Sequence, residues 1–144
     1  SSNLGLRKAF TDADRDEFEA HGYAFIARYF QGSLQALASH NANIKESFRK
    51  IDETRFGAVV YDGGKARARC KITLGGMFGR GGLGFSYSDN PADNSFNETL
   101  STEADGERLY FKALGMPSRA VPEKLSHEEA AEYFWSLFVR PLQG

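Results

Sequence analysis

The run from Lys65 to Leu74 constrains the fold of this chain more than any other segment. Small or apolar side chains alternate strictly with basic or hydroxyl side chains along it. Because successive residues of a strand point to opposite faces of a sheet, this period of two predicts a strand with one apolar face and one basic face. A sheet with one apolar face needs a covering layer, which other parts of the chain must supply.

Two segments with a helical period lie on either side of the strand-rich region and can form that layer. The first is expected to begin at Thr11, a capping residue followed by acidic residues, and to end near Ser39. The second is expected to begin at Ser126, where Glu129 completes a capping box, and to end at Pro141. Each carries an apolar stripe, so both helices are predicted to cover the sheet.

The segments between the helices alternate with a period of two and are separated by turn sequences. We therefore predict an α+β fold, in which an antiparallel meander sheet of five to six strands has the N- and C-terminal helices packed on one face as a two-layer sandwich. Residues 1–144 are expected to form a single domain excised from a longer multidomain protein. The predicted strands are Ser47–Ile51, Phe56–Tyr61, Lys65–Leu74, Leu83–Ser88, Phe96–Thr102 and Glu107–Ala113.

Composition argues against several classes of function. The net charge of −1 is unlike that of general nucleic-acid or membrane-surface binders, which are usually basic. The single cysteine, Cys70, excludes an internal disulfide and a cysteine-rich zinc site, and it suits a reducing compartment. With no membrane-length apolar run and no recognisable signal peptide, a cytoplasmic location is expected.

The basic face of the predicted sheet is the first candidate site. It gathers cations, hydroxyls, an amide and a phenol, and charged donors of this kind bind phosphate or carboxylate strongly. The alternative is an ordinary solvated sheet face, which antiparallel sheets commonly have. The candidate ligand-binding residues are Arg67, Arg69, Lys71, Ser86, Ser88, Asn97, Arg108 and Tyr110, with Tyr110 able to stack on a base.

Two loops flank the fourth predicted strand. The glycine-rich stretch 75–82 matches neither the P-loop nor the dinucleotide-binding pattern, so a hairpin loop is favoured over a phosphate cradle, and its Met77, Phe78 and Arg80 are candidate interaction residues. Residues 89–98 are rich in turn-forming side chains and form either plain turns or a ligand-gripping loop. These loops lie at opposite ends of one strand, so they meet only if one folds back over the sheet.

Catalytic motifs are not recognisable in this sequence. His21, His40 and His127 lie on or beside the helices, and Cys70 lies in the apolar row of a strand, where an inert buried thiol is expected. We therefore expect no cofactor and no metal, and we rank a small enzyme of unfamiliar type last among the functions considered.

Several short phrases together resemble a known kind of module. They are Phe48-Arg49-Lys50-Ile51-Asp52, Leu74-Gly75-Gly76-Met77, Asn94-Ser95-Phe96-Asn97-Glu98, and Glu128-Glu129-Ala130-Ala131-Glu132-Tyr133-Phe134-Trp135 followed by Pro141-Leu142-Gln143. This set resembles an uncharacterised bacterial module found in the C-terminal part of TIR-domain proteins. Such proteins commonly act in antiphage defence, with the TIR part consuming NAD. The resemblance implies that this module, which has no TIR domain itself, senses a signal, binds a partner or drives oligomerisation.

These observations lead to two main hypotheses. The first is a non-enzymatic sensor or regulatory domain that binds an anionic small molecule, such as a nucleotide signal, on the basic sheet face. The second is an interaction or oligomerisation module for a neighbouring effector domain of the TIR type, acting through Met77, Phe78 and the C-terminal helix. The expected partners are thus an anionic small molecule, an effector domain or a second copy of the chain, and not a membrane.

Overall fold

A computed structural model describes residues 9–75, 81–115 and 121–143 of the 144-residue chain. The described elements follow the predicted order of helix, strands and helix. They are α1 (Asp12–Ser39), β1 (Ile44–Asp52), β2 (Arg55–Asp62), β3 (Lys65–Leu74), β4 (Leu83–Ser86), β5 (Glu98–Ala104), β6 (Leu109–Ala113), α2 (His127–Val139) and a short 3-10 helix (Arg140–Leu142).

The six strands form one sheet in which spatial order equals chain order, β1-β2-β3-β4-β5-β6, and every neighbouring pair is antiparallel. The predicted α+β meander is confirmed. At the tight β2–β3 turn, Gly63 and Gly64 have φ angles of 61° and 84°, a backbone conformation that glycine adopts at no steric cost.

Two strands are shorter than predicted, because side chains take over backbone groups at their ends. β4 ends at Ser86, since the next backbone N–H, that of Tyr87, donates to the Asn97 side chain at 3.0 Å. β6 begins at Leu109, since Asp105 Oδ1 accepts the N–H groups of residues 107 and 108 at 2.9 and 3.0 Å. In both places a local turn replaces pairing that the alternation alone had predicted.

Both helices begin with a capping box. Thr11 Oγ1 accepts the Asp14 N–H at 3.1 Å while the Asp14 carboxylate accepts the Thr11 N–H at 2.9 Å. Ser126 and Glu129 make the same reciprocal pair at 3.1 and 3.0 Å. The reciprocal bonds satisfy N–H groups that a helix start leaves unpaired, so the predicted starting points of both helices are confirmed. Among the described helices, none has the length and hydropathy needed to cross a bilayer.

The core lies between the helices and one face of the sheet, here called the inner face. Phe30 of α1 packs edge-on against Phe56 of β2 at 5.5 Å between ring centroids, and it also contacts Phe138 of α2 at 5.7 Å. Aromatic pairs in these orientations add to the stabilisation from burial. The fully buried apolar side chains of the inner face are Phe56, Ala58, Val60, Cys70, Ile72, Leu83, Phe85, Leu100 and Phe111.

The two edges of the sheet differ. At the β6 edge, Phe111 and Leu125 exchange backbone hydrogen bonds of 2.9 and 2.8 Å, so the segment before α2 covers part of that edge. At the other edge β1 pairs with β2 alone, and no other described strand or bridge lies beside it.

Candidate functional site

The other face of the sheet, the outer face, is covered in its middle by the segment 87–97, here called the covering loop. Gly57 and Gly84 lie on this face, and because glycine has no side chain the covering loop can approach the sheet closely at both positions. A Cβ atom at Gly57 would lie 3.6 Å from Asp89 Cβ, and a Cβ atom at Gly84 would overlap the ring of Phe96. Glycine inside a strand often marks such a close approach of another part of the chain.

Lys71 is the most buried cation beneath this loop. It lies on β3, and only 2% of its surface is exposed. Its Nζ donates to the backbone carbonyl oxygen of Asn90 at 2.9 Å and to that of Asp93. Burial lowers the pKa of Lys71, and the nearby Asp93 opposes part of that change. Buried ammonium groups are found almost only where acceptors compensate them, and here neutral carbonyl groups do most of this.

Three arginines meet the same loop from neighbouring strands. Arg55 of β2 donates to the carbonyl of Pro91 at 2.8 Å, and it also pairs with Asp52 at 2.7 Å. Arg69 of β3 contacts the Asp89 carboxylate at 3.2 Å. Arg49 of β1 donates to the carbonyl of Asp89 at 3.4 Å. We call these three arginines together with Lys71 the cationic cluster.

Positive charge exceeds negative charge within this cluster. Of the acidic groups nearby, Asp52 is paired with Arg55 and Asp89 with Arg69. The Asp93 carboxylate is turned to Ser95, whose N–H and hydroxyl lie at 2.9 and 2.6 Å, and these bonds lower the pKa of Asp93 more than the charge of Lys71 does. The remaining acceptors of the cluster are backbone carbonyl oxygens, which carry no net charge.

The predicted site residues fall into separate groups. Arg69 and Lys71 belong to the cationic cluster. Ser86 is 1% exposed, and its Oγ accepts the Ser88 N–H at 3.1 Å. Ser88 Oγ accepts the N–H of residue 90 at 3.2 Å, and Asn97 Oδ1 accepts that of residue 87 at 3.0 Å. These three polar side chains therefore shape the covering loop. A fully solvated outer face does not occur at Lys71 and Ser86.

Arg67 is the unpaired residue at an irregularity of β3 and lies outside the cluster. The register of β2 and β3 shifts beside it, so that Tyr61 pairs with Ala66 and Val60 with Ala68. Arg67 is exposed, and it makes no hydrogen bond or ion pair with any part of the chain that the structure describes. It offers a positive charge near the cluster without sharing its contacts.

Arg108 and Tyr110 form a second group on the far side of the outer face. The Arg108 guanidinium lies 6.0 Å from the Tyr110 ring centroid and Lys124 Nζ lies 5.4 Å from it, within cation–π range. Lys124 is also paired with Asp105 at 2.7 Å. Three strand spacings separate β6 from β3, or about 14 Å. A single phosphate therefore cannot contact Tyr110 and Lys71 together.

The remaining candidates are of different kinds. Met77, Phe78 and Arg80 lie outside the described residues. Cys70 is fully buried, and burial raises the pKa of its thiol well above the usual value. Within residues 9–75, 81–115 and 121–143, no three His, Cys, Asp or Glu side chains are arranged to hold a metal ion.

Sequence reasoning missed Arg49 and Arg55, although both lie on strands that it had largely placed. Their positions follow from register, since Arg49 pairs with Gly57, and Gly57 pairs with Lys71 on the same face. The signal that could have revealed the site is the pair of outer-row glycines, Gly57 and Gly84, opposite a loop long enough to reach them.

A family of protein domains and a bacterial protein are similar in sequence to this chain. The family described as the Y4lF protein domain matches residues 45–140. The uncharacterized protein y4lF of Sinorhizobium fredii (strain NBRC 101917 / NGR234) is 40% identical over 146 aligned residues, which cover 100% of this chain and 45% of that protein. The chain thus spans less than half the length of this relative. No solved structure matches. The family match covers most of the chain, including all six strands but the first residue of β1, and on this basis the chain belongs to the Y4lF domain family.

Proposed function

We propose that this chain is a non-enzymatic regulatory domain that binds an anionic small molecule at the cationic cluster. One observation carries the proposal. Four cationic side chains from three adjacent strands converge on one loop, where Arg49, Arg55 and Lys71 donate to neutral carbonyl oxygens and Arg69 contacts the Asp89 carboxylate. An anion offers the same donors a stronger, charge-assisted bond.

Access to the cluster supports this proposal. The Arg69 side chain is 48% exposed and Arg49 is exposed, so an anion can reach two guanidinium groups from solvent before the covering loop moves. Lys71 becomes available only when the carbonyl groups of Asn90 and Asp93 move away. Full engagement of an anion is therefore coupled to displacement of the covering loop.

This coupling is what a regulatory domain requires. A ligand shifts a conformational equilibrium only by its difference in affinity for the two states. Here the two states are the covered cluster and the uncovered cluster, and a ligand with several anionic oxygens prefers the uncovered one. The covering loop acts as an internal competitor that sets the concentration at which the ligand binds.

The wider setting of the domain is part of the same proposal. We assign the ligand to phosphate-bearing molecules, with nucleotide signals as the leading class, and the neighbouring region of the full protein to an effector of the TIR type in bacterial antiphage defence. Support for the TIR-type neighbour comes from the motif resemblance, and the relative y4lF extends well beyond the matched region, which leaves room in that protein for a further domain.

The test is a thermal-shift and calorimetric titration with phosphate, pyrophosphate, and linear and cyclic nucleotides at fixed ionic strength. Arg69→Glu places a carboxylate in the cluster, and Arg67→Glu makes the same charge change two residues away, outside it. A ligand that binds only the folded state stabilises it by about 2.7 kcal/mol at a hundredfold excess over Kd. We expect this stabilisation in the parent and in Arg67→Glu, and its loss in Arg69→Glu.

Two results would contradict the proposal. One is the absence of any shift across the anion panel. The other is an equal response in the two variants, which would indicate a general charge effect. Circular dichroism of each variant without ligand confirms that the fold is retained, and Tyr110→Ala is expected to bind as the parent does.

A further inference from the structure

The open edge of the sheet at β1 has the properties of a self-association surface. β1 is a nine-residue strand with one strand neighbour, and its register with β2 is regular from Ile44 to Lys50 and shifts between Lys50 and Asp52. Long unprotected edges invite pairing with another strand, and proteins usually shorten, cover or block them. The opposite edge is covered in part by its bridge to Leu125, whereas no described strand or bridge pairs with the free edge of β1.

The side chains of β1 fit a second copy of the same strand. The row on the inner face contains Glu46, Phe48 and Lys50, with Phe48 at the centre of an otherwise charged trio. When two β1 strands pair antiparallel about a two-fold axis at Phe48, each Glu46 faces Lys50 of the other copy, and the two Phe48 rings face each other. Opposite charges and aromatic pairs placed in this way stabilise adjacent strands.

The charges of β1 favour this register over the neighbouring ones. A two-fold axis at Glu46 or at Lys50 sets two like charges directly opposite each other. An axis at Ser47 sets Lys45 opposite Arg49, and an axis at Arg49 pairs that residue with itself. Like charges facing each other destabilise strand pairing, so among the axes from Glu46 to Arg49 and at Lys50 only the axis at Phe48 opposes no like charges.

The surroundings of these residues suit pairing. Phe48 is half-buried and stacks on Phe56 at 5.0 Å between ring centroids, so its position is fixed before any partner arrives. Lys50 now pairs with Glu53 at 3.5 Å, but both side chains are largely exposed, at 65% and 91%. Exposed ion pairs of this kind contribute little, so Lys50 can exchange Glu53 for Glu46 of the other copy at small cost.

We propose that two copies of this chain associate through their β1 strands, joining their sheets into one continuous antiparallel sheet. The contact is isologous, as in most two-fold dimers. Edge pairing of one strand lies at the low end of interface area, so we expect a reversible dimer with a Kd of about 10–100 µM. The three residues that set this pairing, Glu46, Phe48 and Lys50, do not belong to the cationic cluster.

Sedimentation velocity over a wide concentration range tests the proposal through charge exchange. Glu46→Lys gives a β1 with lysine at both positions, and Lys50→Glu gives one with glutamate at both. Each variant alone faces like charges and is expected to be monomeric at concentrations where the parent dimerises. An equimolar mixture of the two variants restores opposite charges at every pair, so it is expected to recover the dimer.

The double variant with both changes exchanges the two charges and is expected to dimerise as the parent does. Lys45→Glu, on the other face of β1, is the control and is expected to change the Kd less than threefold. A strictly monomeric parent would overturn the proposal, as would single variants that still dimerise. A mixture of folded single variants that stays monomeric would also overturn it.

Discussion

The ring of Phe111 on β6 packs against the backbone of Gly22 in α1, so closely that a Cβ atom at Gly22 would lie 2.8 Å from two ring carbons. The same Cβ atom would lie 3.0 Å from His127 Cδ2. Glycine inside a helix costs about 1 kcal/mol relative to alanine. Here that cost is offset by the close approach of the first helix to the sixth strand and to the start of α2.

Replacing this glycine by alanine is therefore expected to destabilise the protein. The gain in helix propensity, about 1 kcal/mol, is smaller than the cost of overpacking against rings held in the core, so we expect a net loss of about 1–2 kcal/mol. Gly32 of the same helix is the control, because a Cβ atom there meets nothing within 4 Å. Gly32→Ala is expected to stabilise the protein by about 0.5–1 kcal/mol. Urea unfolding measures both, and a Gly22→Ala variant more stable than the parent would contradict the packing described.

Gly57 of β2 and Gly84 of β4, which lie beneath the covering loop, provide a second pair of variants. Gly84→Ala is expected to displace Phe96, to cost about 1–3 kcal/mol, and to speed proteolysis within residues 87–97. Gly57→Ala places a methyl at ordinary contact distances of 3.5–3.8 Å, so it is expected to change stability by less than about 1 kcal/mol. Limited proteolysis with mapping of the cleavage sites reports on the loop directly. Equal protection of the loop in both variants would show that Gly84 does not position it.

Cys70 is expected to be chemically silent in the folded protein. Its side chain is fully buried, and burial raises the pKa of the thiol. Since the thiolate is the reactive form, a thiol reagent at pH 8 should modify Cys70 only at the rate at which the protein opens. Reaction followed with and without denaturant tests this. Rapid modification of the native protein would place the thiol in a reactive, accessible setting.

His127 is expected to make stability depend on pH. Burial lowers its pKa in the folded state, the neighbouring His21 adds to this, and a hydrogen bond with the Phe18 backbone opposes it. The unfolded chain therefore binds a proton at a higher pH than the folded protein does, and stability falls as the pH drops below about 6.5 toward the folded pKa. His127→Leu is expected to reduce this slope in urea unfolding between about pH 7 and pH 5. An unchanged slope would assign the pH dependence to other groups.

The sequence predicted the layers of this fold well because the spacing of apolar residues, with a period of two in strands and about 3.6 in helices, indicates directly which side chains are buried. Strict alternation from Lys65 to Leu74 matches the bounds of β3, and the caps at Thr11 and Ser126 match the starts of both helices. These signals are local, and each involves residues within a few positions of one another. Strand ends were predicted less well, because the Asn97 and Asp105 side chains compete there with the sheet for backbone groups.

The candidate site was predicted only in part, for a different reason. Alternation assigns Lys71 to the outer face but carries no information on what lies over that face. Burial of Lys71 depends on Asn90 and Asp93. Both lie in a turn-rich segment, and a segment without a regular spacing of apolar residues does not indicate where the chain runs. The same limit applied to Arg108 and Tyr110, which share a face with Lys71 but stand three strands away from it.

The six strands lie in the sheet in the same order as in the chain, and this affects how the domain can fold while the ribosome is synthesising it. Each strand can pair with its predecessor as soon as it leaves the ribosome, with α1 already available to cover the growing sheet. Only α2 arrives late, and it brings Phe134, which packs on Phe85 at 5.4 Å between ring centroids. A chain that ends before residue 127 therefore lacks the cover that Phe134 gives to Phe85 on the inner face of the sheet. The final thirteen-residue helix then closes the domain in one late step.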